Sequence, residues 1–176
     1  MLKVLLVDDE PFIVKGLSVL IDWEQEGFEI AGVASNGEEA LQFLQEQKVD
    51  LIIADIKMPI MTGLELLQNI REHEISDAYF VILSGYADFS YAQKALRYEC
   101  FDYILKPVKK EALTAVIQKV SQSSIHVEQK KKDTEKMERA YLARNTISLL
   151  QGNFDQLNME YVKKHMKLSE EVYSTP

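Results

Sequence analysis

Five short apolar runs alternate with segments of helical periodicity, and this leaves the chain few folds to choose from. Residues 2–7 are apolar but for Lys3 and lead into Asp8-Asp9, and Leu51-Ile52-Ile53-Ala54 leads into Asp55. Runs near residues 28–34, 79–83 and 101–105 complete the set. Stretches this short and this rich in Val, Ile and Leu predict parallel strands buried on both faces. Between them the spacing predicts helices at about 11–22, 37–47, 62–74 and 87–98, with a fifth starting near Lys109. Their starts are marked by Asn36-Gly37-Glu38, by Thr62 before Gly63-Leu64-Glu65, and by Asp88. Ala40, Leu41 and Leu44 give one helix an apolar face, and Leu64, Leu67 and Ile70 give another. Alternating βα units of this kind predict an open parallel sheet with helices on both faces and right-handed crossovers. Trp23 falls in the first crossover and reads as a lid on the core.

Composition narrows the class. With 176 residues, 47% apolar and 27% charged, the chain can bury one full core and carry an appendage. No segment approaches transmembrane length and no signal-peptide pattern is present. The single cysteine, Cys100, excludes an intrachain disulfide and suits a reducing cytoplasm. Beside Tyr98, Phe101 and Tyr103 it reads as part of the core. Residues 1–121 hold 20 Asp and Glu against 11 Lys and Arg; residues 122–176 hold 8 against 9. That balance does not make a nucleic-acid-binding surface, and Lys130-Lys131-Lys132 reads as a solvated helix face. His73, His126 and His165 show no metal-ligand spacing.

The fifth helix is not told where to stop. No Gly or Pro occurs from Val108 to Gln151. Leu113, Val120, Val127, Thr134, Tyr141 and Ser148 recur seven apart, beside a weaker seam of Val116, Ser123, Lys130, Met137 and Arg144. A long helix with a poor coiled-coil seam is predicted. Gly152-Asn153 signals its end, and Leu157, Tyr161, Val162 and Met166 suit a further short helix. The expected organisation is a domain over 1–121, a helical linker over 122–151 and a short helical tail over 152–176 that begins a downstream region.

The chemistry lies at strand ends. Three carboxylates within about 5 Å of one another repel by roughly 3 kcal/mol per pair at an effective dielectric of 20. Asp8, Asp9 and Asp55 therefore call for a cation, and an all-oxygen ligand set favours Mg²⁺. Ser84 ends the fourth strand and Lys106 the fifth, so all five polar residues fall on one edge of the sheet, where open α/β folds place ligands. Carboxylates, a hydroxyl, an ammonium and a cation describe a phosphoryl-binding site with a carboxylate able to attack phosphorus.

These pieces carry a resemblance. Val7-Asp8-Asp9-Glu10-Pro11, Asp55-Ile56-Lys57-Met58-Pro59 with Gly63-Leu64-Glu65, Leu83-Ser84-Gly85-Tyr86 and Tyr103-Ile104-Leu105-Lys106-Pro107 resemble the receiver domain of two-component response regulators. The resemblance implies a flavodoxin-like (βα)5 fold with strand order 2-1-3-4-5. It makes Asp55 the phosphoacceptor. Asp8, Asp9 and the main-chain carbonyl of Lys57 join Asp55 as Mg²⁺ ligands, Lys106 becomes the charge-neutralising lysine, and Ser84 and Tyr103 form the switch pair. Thr62 departs from the Asp common there, at a helix-capping position. Ile21-Asp22-Trp23, Asn36-Gly37-Glu38-Glu39-Ala40 and the stretch from Ser84 to Ala92 look like the YesN-like regulators, which carry an AraC-type helix-turn-helix region far downstream.

The implied partners are a sensor histidine kinase and a second copy on phosphorylation. DNA would be reached only through a region beyond this chain, and no membrane contact is expected. Pro11, Val14, Lys15 and Ser18 share one face of the first helix, opposite Leu17, Leu20 and Ile21, and form the expected kinase-docking face with Val14 exposed. The resemblance also implies that Lys57 and Tyr86, two residues after Asp55 and Ser84, flank the in-line water path, and their bulk predicts slow self-dephosphorylation. The chain would then take a phosphoryl group from phosphohistidine without being a conventional enzyme. A stand-alone receiver acting through protein contacts is the alternative. An aspartyl-nucleophile phosphohydrolase would need a second Asp two residues after its nucleophile, where Lys57 follows Asp55 and Glu10 follows Asp8. A dinucleotide-binding fold would need a Gly-rich turn in place of Asp8-Asp9-Glu10-Pro11.

Overall fold

In the computed structural model, which describes residues 1–85 and 89–150, strands and helices alternate as the apolar runs require. In chain order they are β1 (Leu2–Val7), α1 (Pro11–Leu20), β2 (Phe28–Ala34), α2 (Gly37–Glu46), β3 (Leu51–Asp55), α3 (Gly63–Glu72), β4 (Tyr79–Ser84), α4 (Phe89–Arg97), β5 (Asp102–Leu105) and α5 (Lys110–Leu150). The strands form one parallel sheet ordered β2-β1-β3-β4-β5. Successive residues of a strand point to opposite faces, and both faces are covered. Leu5, Ile52, Ala54, Phe80 and Ile82 therefore pack under α2 and α3 with Ala40, Leu66, Leu67 and Ile70. Val4, Leu6, Ile53, Val81 and Leu83 pack under α1 and α5 with Leu17, Leu113, Ile117 and Val120. Truncating a fully buried side chain such as Phe80 to Ala costs about 3–5 kcal/mol, a large part of a typical domain's stability.

Local chemistry sets the helix starts. Pro11 begins α1 at a position where a missing N–H costs nothing. The Asn36 side chain accepts from the Glu39 N–H to cap α2, and Thr62 and Glu65 form a reciprocal capping box on α3. Trp23 is buried in the α1–α5 cluster and its Nε1–H donates to the Leu17 carbonyl at 3.1 Å, as a core lid should. Residues Met1–Ser123 make one compact unit, and a second begins at Ser124. Within the second unit Glu128 and Lys132 pair at 3.2 Å, one turn apart, and Ile125, Val127, Met137 and Tyr141 are exposed. Leu113, Val116 and Val120, which opened the heptad seams, are spent in the core of the first unit, so the seven-residue spacing there reflects packing of α5 on the sheet. The short helix expected over 152–176 lies outside the described residues. Among those described, no helix is long and apolar enough to cross a membrane.

Candidate functional site

Parallel pairing carries the polar strand ends to one edge. Val7 pairs with Ala54, Asp55 with Leu83 and Ser84 with Leu105, so the residues that follow β1, β3, β4 and β5 converge. One ligand oxygen from each of Asp8, Asp9 and Asp55 lies within 4.8 Å of the others. Lys106 Nζ stands 2.8 Å from Asp8 Oδ2 and 3.1 Å from Asp55 Oδ1, bridging the two buried carboxylates. The backbone holds this geometry. Lys106 N–H donates to the Ser84 carbonyl at 2.7 Å, Ile56 N–H to the Leu83 carbonyl at 3.1 Å, and Glu10 N–H to Asp8 Oδ1 at 2.9 Å. Asp9, Glu10, Asp55, Ile56, Lys57, Ser84, Gly85 and Lys106 line a cavity of about 260 Å³.

Three carboxylates face one ammonium, and the titration of the site follows. Burial pushes the Asp55 carboxyl above its usual range, with the Asp8 charge adding and the hydrogen bond to Lys106 opposing. Burial pulls the Lys106 ammonium down, but the hydrogen bonds it donates to Asp8 and Asp55 outweigh that and the net direction is up. The clustered carboxylates and their all-oxygen donor set fit a hard divalent cation, with Asp8, Asp9 and Asp55 as the residues that would hold it.

Each of the five strand-end residues singled out from sequence stands at this edge. Ser84 is buried, Asp9 and Lys57 are exposed, and Tyr103 is half-buried on β5 against the α2–α3 core. Tyr86 lies outside the described residues. Cys100 is half-buried, its Sγ 2.9 Å from the Asp102 carbonyl, and burial pushes its thiol up to about 11. It is a packed thiol and not a nucleophile.

The α1 face departs from expectation at Val14. That residue is half-buried against the α1–α5 core, and Ser18 is half-buried with its hydroxyl donating to the Lys15 carbonyl. Pro11 and Lys15 are exposed as expected. The outward apolar residues are Phe12, 88% exposed, and Val19, 75% exposed. The reason is angular. At about 100° per residue Val14 lies only 60° from the inward Leu17, whereas Phe12, Lys15, Gly16 and Val19 lie far around the helix. A wheel centred on Leu17 and Ile21 would have found Phe12.

The family model for the response regulator receiver domain matches residues 4–118. The chain is 34% identical over 142 residues to the uncharacterized transcriptional regulatory protein YesN of Bacillus subtilis, covering 81% of this chain and 37% of that protein. The chain thus spans little more than a third of that relative. Among solved structures it is similar to the REC domain of AraT, a response regulator from Geobacillus stearothermophilus. That likeness has TM-score 0.64 and 39% identity, and covers 74% of this chain and 98% of that one. It is also similar to a chain of the CheX–CheY–BeF₃–Mg²⁺ complex from Borrelia burgdorferi, with TM-score 0.62, 30% identity, and coverage of 68% and 88%.

Proposed function

We propose a phosphoacceptor role from one premise: the chain belongs to the response regulator receiver domain family. Asp55 is the acceptor, and the observation that carries this is Lys106 bridging Asp55 and Asp8 at the sheet edge. An Asp55 carboxylate oxygen attacks phosphorus, a new O–P bond forms, and the P–N bond to the donor imidazole breaks; the imidazole keeps the electron pair and takes up a proton. Lys106 offsets charge on the equatorial oxygens, and the Ser84 hydroxyl donates to one of them. Asp8, Asp9, Asp55 and the Lys57 carbonyl would hold Mg²⁺, which would neutralise charge on the phosphoryl oxygens. The Mg²⁺ and BeF₃ named for the Borrelia complex support a magnesium-dependent phosphoryl site in this family. The donor is a sensor histidine kinase, docking on the exposed side of α1 around Phe12 and Lys15. The organisation is a receiver over 1–121 and a helical linker over 122–151.

The output is transcriptional regulation, supported by the role printed for the Bacillus relative, with DNA contact made by sequence outside the matched region. The test is incubation with acetyl phosphate and Mg²⁺. One phosphoryl group is expected on Asp55 and none on Asp55→Asn; full labelling of that variant would move the acceptor elsewhere.

A further inference from the structure

Gly63, the first residue of α3, has no room for a side chain. A Cβ there would run into the main-chain carbonyl oxygen of Asp55 and lie 3.4 Å from the Cα of Ile56. The Gly63 N–H donates to the Ile56 carbonyl at 3.0 Å. The first turn of α3 thus rests directly on the main chain that carries Asp55.

The loop leading into that turn is pinned at both ends. Upstream, Met58 is buried. Downstream, the Met61 carbonyl accepts from the Gly37 N–H at 3.1 Å. Thr62 Oγ1 accepts from the Glu65 N–H at 3.2 Å, and Glu65 reaches back to the Thr62 N–H at 2.8 Å. Between the pins Ile60 sits at φ 68° and 73% exposed. A β-branched residue is rarely found in the left-handed region, and it stays there only where its neighbours over-determine the chain. The backbone beneath Asp55 is therefore held by main-chain contact from a fixed turn and cannot yield cheaply. Gly16 makes the contrast: nothing lies within 4 Å of a Cβ added there.

We propose that Gly63 is a positioning residue for the phosphoacceptor, setting the Asp55–Ile56 main chain, and through it the Asp55 carboxylate, at the reach from Lys106 and the acidic pair that attack on phosphorus needs. This rests on Asp55 being the acceptor. A misplacement on the order of 1 Å costs up to about 100-fold in such reactions, so the effect belongs in the rate and not in stability alone.

The experiment is acetyl phosphate labelling at saturating donor and Mg²⁺, followed by mass spectrometry, with the folded fraction of each variant taken from circular dichroism. Gly63→Ala is expected to label at least tenfold more slowly per folded molecule, and Gly16→Ala within twofold of the parent. Adding Ile60→Gly to Gly63→Ala relieves the left-handed residue without restoring space at Asp55. The double variant is expected to melt higher than the single one yet label as slowly, and it carries the test if the single variant does not fold. Labelling of Gly63→Ala within twofold of the parent, or a rate that returns together with stability in the double variant, overturns the proposal. A parent that fails to label on Asp55 overturns the acceptor assignment and this inference with it, whereas a labelling parent beside an equally fast Gly63→Ala overturns this inference alone.

Discussion

Lys106 neutralises two buried carboxylates with one ammonium, at 2.8 and 3.1 Å, and its side chain is itself largely buried. Removing one partner of such a cluster leaves charge without compensation and costs about 3–5 kcal/mol. Lys106→Ala is expected to lose stability of that order in EDTA, read from urea melts, and to recover part of it when Mg²⁺ is added. A ligand at a hundred times its Kd contributes about 2.7 kcal/mol. A loss unchanged by Mg²⁺ would mean that the cation does not share the carboxylates with Lys106. Asp55 gives the opposite sign. Burial raises its folded-state carboxyl above the unfolded value, so the folded protein holds that proton to higher pH. The contribution is fully present below the unfolded value and lost as pH rises through the folded one. At neutral pH and without metal the ionised group therefore works against folding, and Asp55→Asn is expected to melt higher, by about 2–4 °C for each kcal/mol relieved. The gain should shrink as pH falls through the raised folded value and be gone below about 4, as thermal melts between pH 3.5 and 7.5 in EDTA would show.

The helices divide their duties by face, and α1 shows it best. Its inward side is Leu17 with half-buried Ile13, Val14 and Leu20, while Phe12 and Val19 face solvent. Phe12→Asp is expected to leave the melting temperature within about 2 °C, since exposed sites move stability by roughly 0.5 kcal/mol or less. It should slow transfer from the kinase while sparing labelling by acetyl phosphate. Val14→Asp, which puts a charge against the core, should cost stability in both assays. Equal slowing by Phe12→Asp with both donors would place docking elsewhere. The contrast also shows what sequence could deliver. The strands were legible because runs such as 51–54 are apolar on both faces, and the strand-end placement of Asp8, Asp55, Ser84 and Lys106 follows once the sheet is parallel. The Lys106 bridge to Asp8 spans 98 residues and awaited the fold. The outward face of α1 was misjudged at Val14 because helical angle, not residue type, decides burial. The closeness of Gly63 to Asp55 left no sequence signal beyond the glycine itself, because a backbone-on-backbone contact depends on where α3 lands.

In the molecule as a whole, the site must reach a surface that a partner can read. Ser84 ends β4 beside Leu105 of β5, and Tyr103 pairs with Ile82 two residues earlier. A pull on Ser84 therefore bears on β5 through the Lys106 N–H bonded to the Ser84 carbonyl. Beyond β5 lies a cavity of about 560 Å³ lined by Tyr103, Leu105, Ala112, Val116 and Lys119 among others, with Lys119 bonded to Asp102 at 2.9 Å. Leu105 is half exposed beside it. Two packings of this region need differ by only a few kcal/mol for phosphoryl contacts to choose between them. A second copy is the expected reader, and two surfaces compete for that role: the β5 face, and the exposed Val127, Met137 and Tyr141 of the second unit. The poor seam, with Lys130 at a core position, argues that the helix beyond Ser123 associates weakly by itself. The expected result in sedimentation is a dimer tightened at least tenfold by beryllofluoride and Mg²⁺, about 1.4 kcal/mol of coupling. Leu105→Asp should abolish that tightening, whereas a chain ending at Ser123 should keep it. A dimer lost on truncation, or one of equal affinity with and without beryllofluoride, would assign assembly to the long helix and leave the β5 face without that role.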